Sequence, residues 1–244
     1  MKNPLTRIRN YFARDILDRI NDLETGMRVL VDSPAYRPDD RTGFNGQSGR
    51  KRIFLDLVGR FAFSRLVETG TYLGDTTGYM ARTTGLPVHS CERNPSLFAL
   101  ARYRLKDVPR VSLSNMDSRE FLLGLSARPE MVEGACFFYL DAHWGRDVPL
   151  NEEISIIASR WKEFIVMIDD FEVPGDDGYA HGSYGTLRRI GMAKLRAVYD
   201  LGVFFPTTPS SAERAGATGC VVLAKNGPYT DALGEISSIR RHVV

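Results

Sequence analysis

The sequence predicts a doubly wound α/β domain preceded by a helical extension. Three observations carry this. From about Ile53 onward, short strand-like segments alternate with helix-like ones. Two strand segments, residues 135–141 (ACFFYLD) and 164–169 (FIVMID), are apolar without interruption, as strands covered on both faces of a parallel sheet are. Acidic residues recur where strand segments end, at Glu68, Glu92, Asp117, Asp141, Asp169 and Asp170, the edge at which such sheets bind ligands.

The elements follow in order. Leu5, Ile8, Phe12, Ile16, Ile20, Leu23, Met27 and Leu30 recur at helical spacing, and Arg7, Arg9, Asp15, Asp18, Arg19 and Asp22 mix both signs on the other face. Mixed charge favours a helix packed on its own domain or on a second copy of the chain, a homodimer contact, over a basic membrane-surface helix. Ser33-Pro34 and Pro38-Asp39 end this helix, and residues 41–52, with Gly43, Gly46 and Gly49, read as a loop. Strands are expected over 65–68, 87–92, 110–114, 135–141 and 164–169, and helices over 75–83, 95–105, 118–125 and 150–161. After a Gly- and Asp-rich loop come a helix over 186–199 and two strands, 203–207 and 219–225, that form an antiparallel final pair. The expectation is a seven-stranded sheet, mostly parallel with an antiparallel last strand. Its domains are 1–50, helix and flap, and 51–244, the α/β body.

Composition narrows the function classes. The 244 residues carry 32 basic and 30 acidic side chains, a net charge of +2, with 43% hydrophobic and 25% charged residues. That is enough apolar material for a core, and it gives no basic stripe for nucleic acid. No apolar run reaches the roughly 18 residues of a membrane span. Residues 1–10 carry Lys2, Arg7 and Arg9 with no secretory apolar core behind them. Cys91, Cys136 and Cys220 are odd in number and far apart, and read as free thiols of a cytoplasmic protein. No HExxH, CxxC or GxSxG occurs, which argues against zinc and serine-hydrolase chemistry.

The first strand ends in ETGTYLGDTT, residues 68–77, where Gly70 and Gly74 permit a tight turn. Tyr72 stands where a dinucleotide loop has its second glycine, so a dinucleotide oxidoreductase is disfavoured. Glu92, ending the second strand, is placed to accept ribose hydroxyls. Asp117 after the third strand suits an adenine amino group, and equally begins a capping box with Glu120.

These residues, Glu68-Thr-Gly-Thr-Tyr-Leu-Gly74, Glu92, Asp117 and Asp141, resemble the successive motifs of class I S-adenosylmethionine-dependent methyltransferases, which have a Rossmann-like fold. The resemblance covers roughly 53–225. It implies that Glu68 binds the methionine amino group, that the loop around Gly70 passes under the methionine part, and that Glu92 and Asp117 hold ribose and adenine. Thr69, Thr71, Tyr72, Thr76, Thr77, Ser118 and Asp141 complete the implied cofactor set.

A second cluster carries the chemistry. Asp141 closes one apolar strand and Asp169-Asp170 the next; if the strands are neighbours, about 4.8 Å apart, three carboxylates meet at one edge. Such a cluster calls for a compensating cation, and oxygen ligands suit Mg²⁺ or Mn²⁺. The pattern resembles metal-dependent O-methyltransferases of the catechol type and of the macrocin and novobiocin sugar-tailoring type. By that resemblance Asp141, Asp169 and Asp170 hold the metal, and His143, two residues beyond Asp141, is the base. Asp169-Asp170 can also be read as a simple strand end, and His143 as a loop histidine. Gln47, Trp144, Tyr179, His181 and Tyr184 are candidates for acceptor contact, with Phe44-Asn45-Gly46-Gln47 as a flap and 172–185 as a lid or wall.

The expected function is an S-adenosylmethionine-dependent, Mg²⁺-dependent O-methyltransferase acting on a small-molecule hydroxyl, with a sugar or glycosylated metabolite as the leading class. A metal-independent N- or O-methyltransferase and a non-catalytic cofactor- or partner-binding domain of the same fold are the alternatives.

Overall fold

A computed structural model describes residues 43–142, 148–182, 190–192, 195, 201–213 and 216–242. The expected N-terminal helix, most of the expected helix over 186–199, and His143, Trp144 and Tyr184 lie outside the described residues.

A short turn over Gly43–Gly46 leads into helix α1, Ser48–Arg60. Residues 48–52 were expected in a loop; they are helical because Arg50, Ile53, Phe54 and Leu57 form one buried stripe. The Glu213 carboxylate completes the helix start, accepting from the Gly49 N–H at 3.0 and 3.1 Å and from Ser48 Oγ at 3.1 Å. A negative group suits the unpaired donors of a first turn.

The alternation then runs as expected: β1 Arg65–Thr69, α2 Asp75–Thr84, β2 Val88–Cys91, α3 Pro95–Arg104, β3 Val111–Ser114, α4 Ser118–Ser126, a short α5 Pro129–Val132, β4 Cys136–Leu140, α6 Leu150–Arg160 and β5 Phe164–Ile168. Asn94 caps α3, its side chain accepting from Ser96 and Leu97 N–H, with Pro95 opening the helix. The last part comprises β6 Leu201–Pro206, β7 Val221–Lys225, α7 Pro228–Gly234 and β8 Ile239–Arg241.

The strand order is β3-β2-β1-β4-β5-β7-β6-β8. Strands β1 to β5 pair in parallel, and β7 slots antiparallel between β5 and β6. The sheet is therefore eight-stranded among the described residues, not seven. The extra strand, β8, pairs antiparallel with β6; only three residues long, with two arginines, it carries no apolar alternation to read.

The direction of winding reverses between β1 and β4, which opens a crevice at their carboxyl ends. Register fixes what meets there. Thr69 pairs with Leu140 and Leu140 with Ile168, so Gly70, Asp141 and Asp169 emerge side by side. Val67, Phe138 and Val166 face the α4–α6 layer, where Trp161 packs edge-on to Phe138 and donates its Nε1–H to the Met131 carbonyl at 2.8 Å. Leu66, Phe137, Tyr139 and Met167 face the α1–α2 layer with Phe44 and Phe54. No helix among the described residues is long and apolar enough to cross a membrane.

Candidate active site

The glycine turn is built to a narrow tolerance. Gly70 holds φ +86°, and a Cβ there would strike the Asp141 carbonyl oxygen, so only glycine fits where β1 and β4 part. The N–H groups of Gly70 and Thr71 both donate to the Cys91 carbonyl at 3.0 Å. Tyr72 takes φ +49°, the left-handed conformation that a glycine adopts more readily. Its N–H donates to Glu92 Oε2 at 2.9 Å, while Glu92 Oε1 accepts from the Asn94 N–H at 2.8 Å. One carboxylate thereby fixes both the turn and the start of α3. The Tyr72 side chain is 41% exposed at this edge.

Glu68 is buried beneath the turn. Its Oε2 accepts from Thr77 Oγ1 and, at 2.6 Å, from Ser90 Oγ. With the Ser90 proton so used, the Thr71 hydroxyl donates to Ser90 Oγ at 2.6 Å. Burial pushes the Glu68 pKa up to about 7, against the pull of those hydroxyls. Thr76 serves the flap, its Oγ1 accepting from the Phe44 N–H at 3.0 Å. Asp117 caps α4, accepting from the Arg119 N–H at 2.9 Å and pairing with the Arg119 guanidinium at 2.8 Å. Hydrogen bonding to Arg119 holds its carboxyl below the usual range. Asp117 is thus an N-cap, on the Arg119 amide rather than the Glu120 amide that the capping box would use.

Thr69 and Ser118, on the opposite face from Glu68, look onto a carboxylate that sequence reasoning missed. Glu153, in the first turn of α6, is fully buried. The Thr69 and Ser118 hydroxyls ease its burial penalty. Burial raises its pKa from 4.5 to about 7. The unfolded chain loses this proton first, so the glutamate's stability contribution is full below 4.5 and falls as pH rises to 7. Glu153→Gln should therefore match the wild type near pH 4.5 and exceed it by about 3 kcal/mol near pH 8. Urea titrations at the two pH values test this, and a pH-independent difference would contradict it.

The acidic cluster is where the structure departs most from expectation. Asp141 N–H donates to the Thr69 carbonyl at 2.9 Å, and Asp169 N–H to the Leu140 carbonyl at 3.0 Å, so the three acids do share one edge. Asp169, however, is fully buried against the guanidinium of Arg50, 2.5 Å from Nη1. Its Oδ1 also accepts from the Asp170 N–H at 2.6 Å and from Thr218 Oγ1 at 3.3 Å. Its Oδ2 accepts from Tyr139 OH at 2.6 Å and from Asn45 Nδ2 at 3.2 Å. A carboxylate has about four lone-pair sites, and here each oxygen is already engaged. Burial alone would lower the Arg50 pKa; Asp169 beside it holds it well above its ordinary value.

Asp141 and Asp170 remain at the edge, both partly exposed. Burial, then Asp169 and Asp170, raises the Asp141 pKa well above normal; burial and Asp169 raise Asp170 to about 6. Among the described residues, no group of three His, Cys, Asp or Glu side chains is arranged to hold a metal ion. Asp169, the middle member of the expected Asp141–Asp169–Asp170 metal set, is thus paired with Arg50.

The acceptor candidates are placed as follows. Gln47 is buried, its Nε2 donating to the Gly216 carbonyl at 2.5 Å and to Thr218 Oγ1 at 3.1 Å; it ties α1 to the β6–β7 connection. Tyr179 is buried with its hydroxyl on the Thr208 carbonyl at 2.9 Å. His181 is half-buried, next to Gly182, whose N–H donates to the Asp170 carbonyl at 2.8 Å. Just before the 172–185 loop the Phe171 N–H donates to Gly219 O, and within its described part the Ala180 N–H donates to Ala217 O. Phe44, Asn45, Tyr72 and Asp170 all hold positive φ, between 49° and 56°. Such strained backbone gathers at ligand sites.

No protein-family model and no curated protein matches the sequence. Solved structures do match in fold. The O-methyltransferase of Bacillus cereus, in complex with SAH, superposes with a TM-score of 0.53 at 15% identity, over 84% of this chain and 91% of that one. The O-methyltransferase TomG of Streptomyces achromogenes, involved in tomaymycin synthesis and in complex with SAM, gives 0.53 at 15% identity, over 84% and 90%. The chain has the α/β Rossmann-like fold of these O-methyltransferases.

Proposed function

We propose that this chain is an S-adenosylmethionine-dependent methyltransferase acting on a hydroxyl of a small molecule. The observation that carries the reading is the row of acids at the switch point. Glu68, Glu92 and Asp117 end or follow β1, β2 and β3, around a Gly70 turn that admits no side chain. Acids suit a cofactor with an ammonium and a sulfonium cation, whereas a pyrophosphate would require donors. The SAM and SAH in the two structures of like fold support the same choice.

In this reading Glu68 holds the ammonium, Glu92 the ribose hydroxyls, and Asp117 with Ser118 the adenine amino group, while the 69–77 turn lies along the methionine part. Bound there, S-adenosylmethionine supplies an electrophilic methyl group. The acceptor hydroxyl must surrender its proton, and Asp141, Asp170 and His143 are the groups that the ends of β4 and β5 offer as acceptors of it. Sugars and glycosylated metabolites are the proposed acceptor class. The Mg²⁺ or Mn²⁺ version, with metal on Asp141, Asp169 and Asp170, is opposed by the contacts of Asp169, so the metal-independent version is preferred.

Calorimetry with S-adenosylhomocysteine tests the cofactor. One molecule should bind per chain, and no binding with or without added metal would overturn the reading. Glu68→Gln should weaken that binding by about 10- to 100-fold, the value of a charge-assisted hydrogen bond. Because the Glu68 pKa is about 7, wild-type affinity should rise with pH up to about 7 and level off above, as the carboxylate that receives the ammonium ionises. Glu68→Gln should be flat over the same range.

A further inference from the structure

We propose that Arg50 is the resident cation of this site, a guanidinium built into the fold in place of a divalent metal. Four observations converge. The Nη1 end of Arg50 lies 2.5 Å from Asp169 and donates to Tyr139 OH at 3.2 Å. The Nη2 end donates to the Thr218 carbonyl at 2.7 Å, Thr218 Oγ1 at 2.8 Å and the Gly219 carbonyl at 3.3 Å, so the side chain is held from both sides and cannot swing off Asp169. Arg50 itself is fully buried, on a helix whose start is fastened by Glu213. Finally, both Asp169 oxygens are engaged by other donors. A metal ion on Asp169 would have to displace those donors and sit beside a fixed positive charge in a poorly screened interior.

The consequence deepens the proposed function and rests on it. A metal ion at such a site would polarise and orient the acceptor oxygens as a Lewis acid. A guanidinium buried behind Asp169 offers no open coordination position. The acceptor is therefore held by hydrogen bonds to Asp141 and Asp170, and a single hydroxyl suffices. The proton leaves to a side chain at that edge, without a Lewis acid to loosen it.

The test is Mn²⁺ binding to the full chain, followed by electron paramagnetic resonance, beside Arg50→Met. The wild type should show no stoichiometric Mn²⁺ site, and its melting temperature should not rise with Mg²⁺ or Mn²⁺. Arg50→Met, which removes the fixed positive charge beside Asp169 and leaves only its neutral donors, should bind Mn²⁺ at least about 10-fold more tightly than the wild type, because a like charge next to the ion is gone. An unchanged affinity in folded Arg50→Met overturns the proposal. Where Arg50→Met does not fold, the wild type decides. One Mn²⁺ per chain, lost in Asp170→Asn, overturns it, and no site upholds it. The readout is independent of cofactor binding, so an absence of S-adenosylhomocysteine binding defeats the methyltransferase reading and leaves the cation assignment to stand or fall by itself.

Discussion

Exchanging Arg50 for methionine is expected to cost the fold about 3–5 kcal/mol, because it strands the Asp169 carboxylate in the interior without its counter-charge. Asp169 has other donors, Tyr139, Asn45, Thr218 and its neighbour's N–H, but they are neutral. The informative companion is the double variant Arg50→Met/Asp169→Leu. Apolar replacement of both partners of a buried ion pair is often neutral or stabilising, so the double variant should recover most of the loss. Urea denaturation of the four proteins in the cycle measures the coupling. A loss under about 1 kcal/mol for the single variant would mean that Asp169 does not depend on Arg50 for its charge balance.

Gly70→Ala is the second large expected effect. Two penalties combine: an L-residue at φ +86° and a Cβ driven against the Asp141 carbonyl oxygen. Together they should remove about 2–4 kcal/mol of stability. Relief requires β1 and β4 to separate at their ends, which also distorts the Glu68–Glu92 pocket, so S-adenosylhomocysteine affinity should fall by at least about 100-fold. Tyr72→Gly is the control. It lies in the same turn at positive φ with an exposed side chain, and it should change stability by no more than about 1 kcal/mol. Equal losses in both variants would show that the turn as a whole, rather than the contact at Gly70, sets the tolerance.

How much of this was legible in the sequence differs by element. The apolar runs that became β4 and β5 left little choice, and the acids after each strand located the crevice edge correctly. Helix α1 was obscured: three glycines and the basic run Arg50-Lys51-Arg52 look like a loop. Yet residues 50, 53, 54 and 57 have helical spacing, and an arginine within an apolar stripe is a signal that a buried acid awaits it. The partner lies far along the chain, so local pattern could not show that Asp169 pairs with Arg50. Glu153 was hidden for a related reason. Two glutamates in a helix's first turn read as ordinary N-terminal charge, and only the packing of α6 against the sheet distinguishes the buried one. Gln47 and Tyr179, read from the sequence as acceptor contacts, are buried with their side chains on the Gly216 and Thr208 carbonyls.

The fastening of α1 has a consequence for how the chain matures during synthesis. Arg50 leaves the ribosome well before Glu213, Thr218 and Gly219, which secure it and its helix. Until they arrive, the early strands can pair, but the guanidinium and the start of its helix have no permanent partners. Contacts that span so much of the chain form late and slowly. A nascent chain stalled before residue 213 would therefore hold the paired early strands with Arg50 and the start of its helix still unfastened.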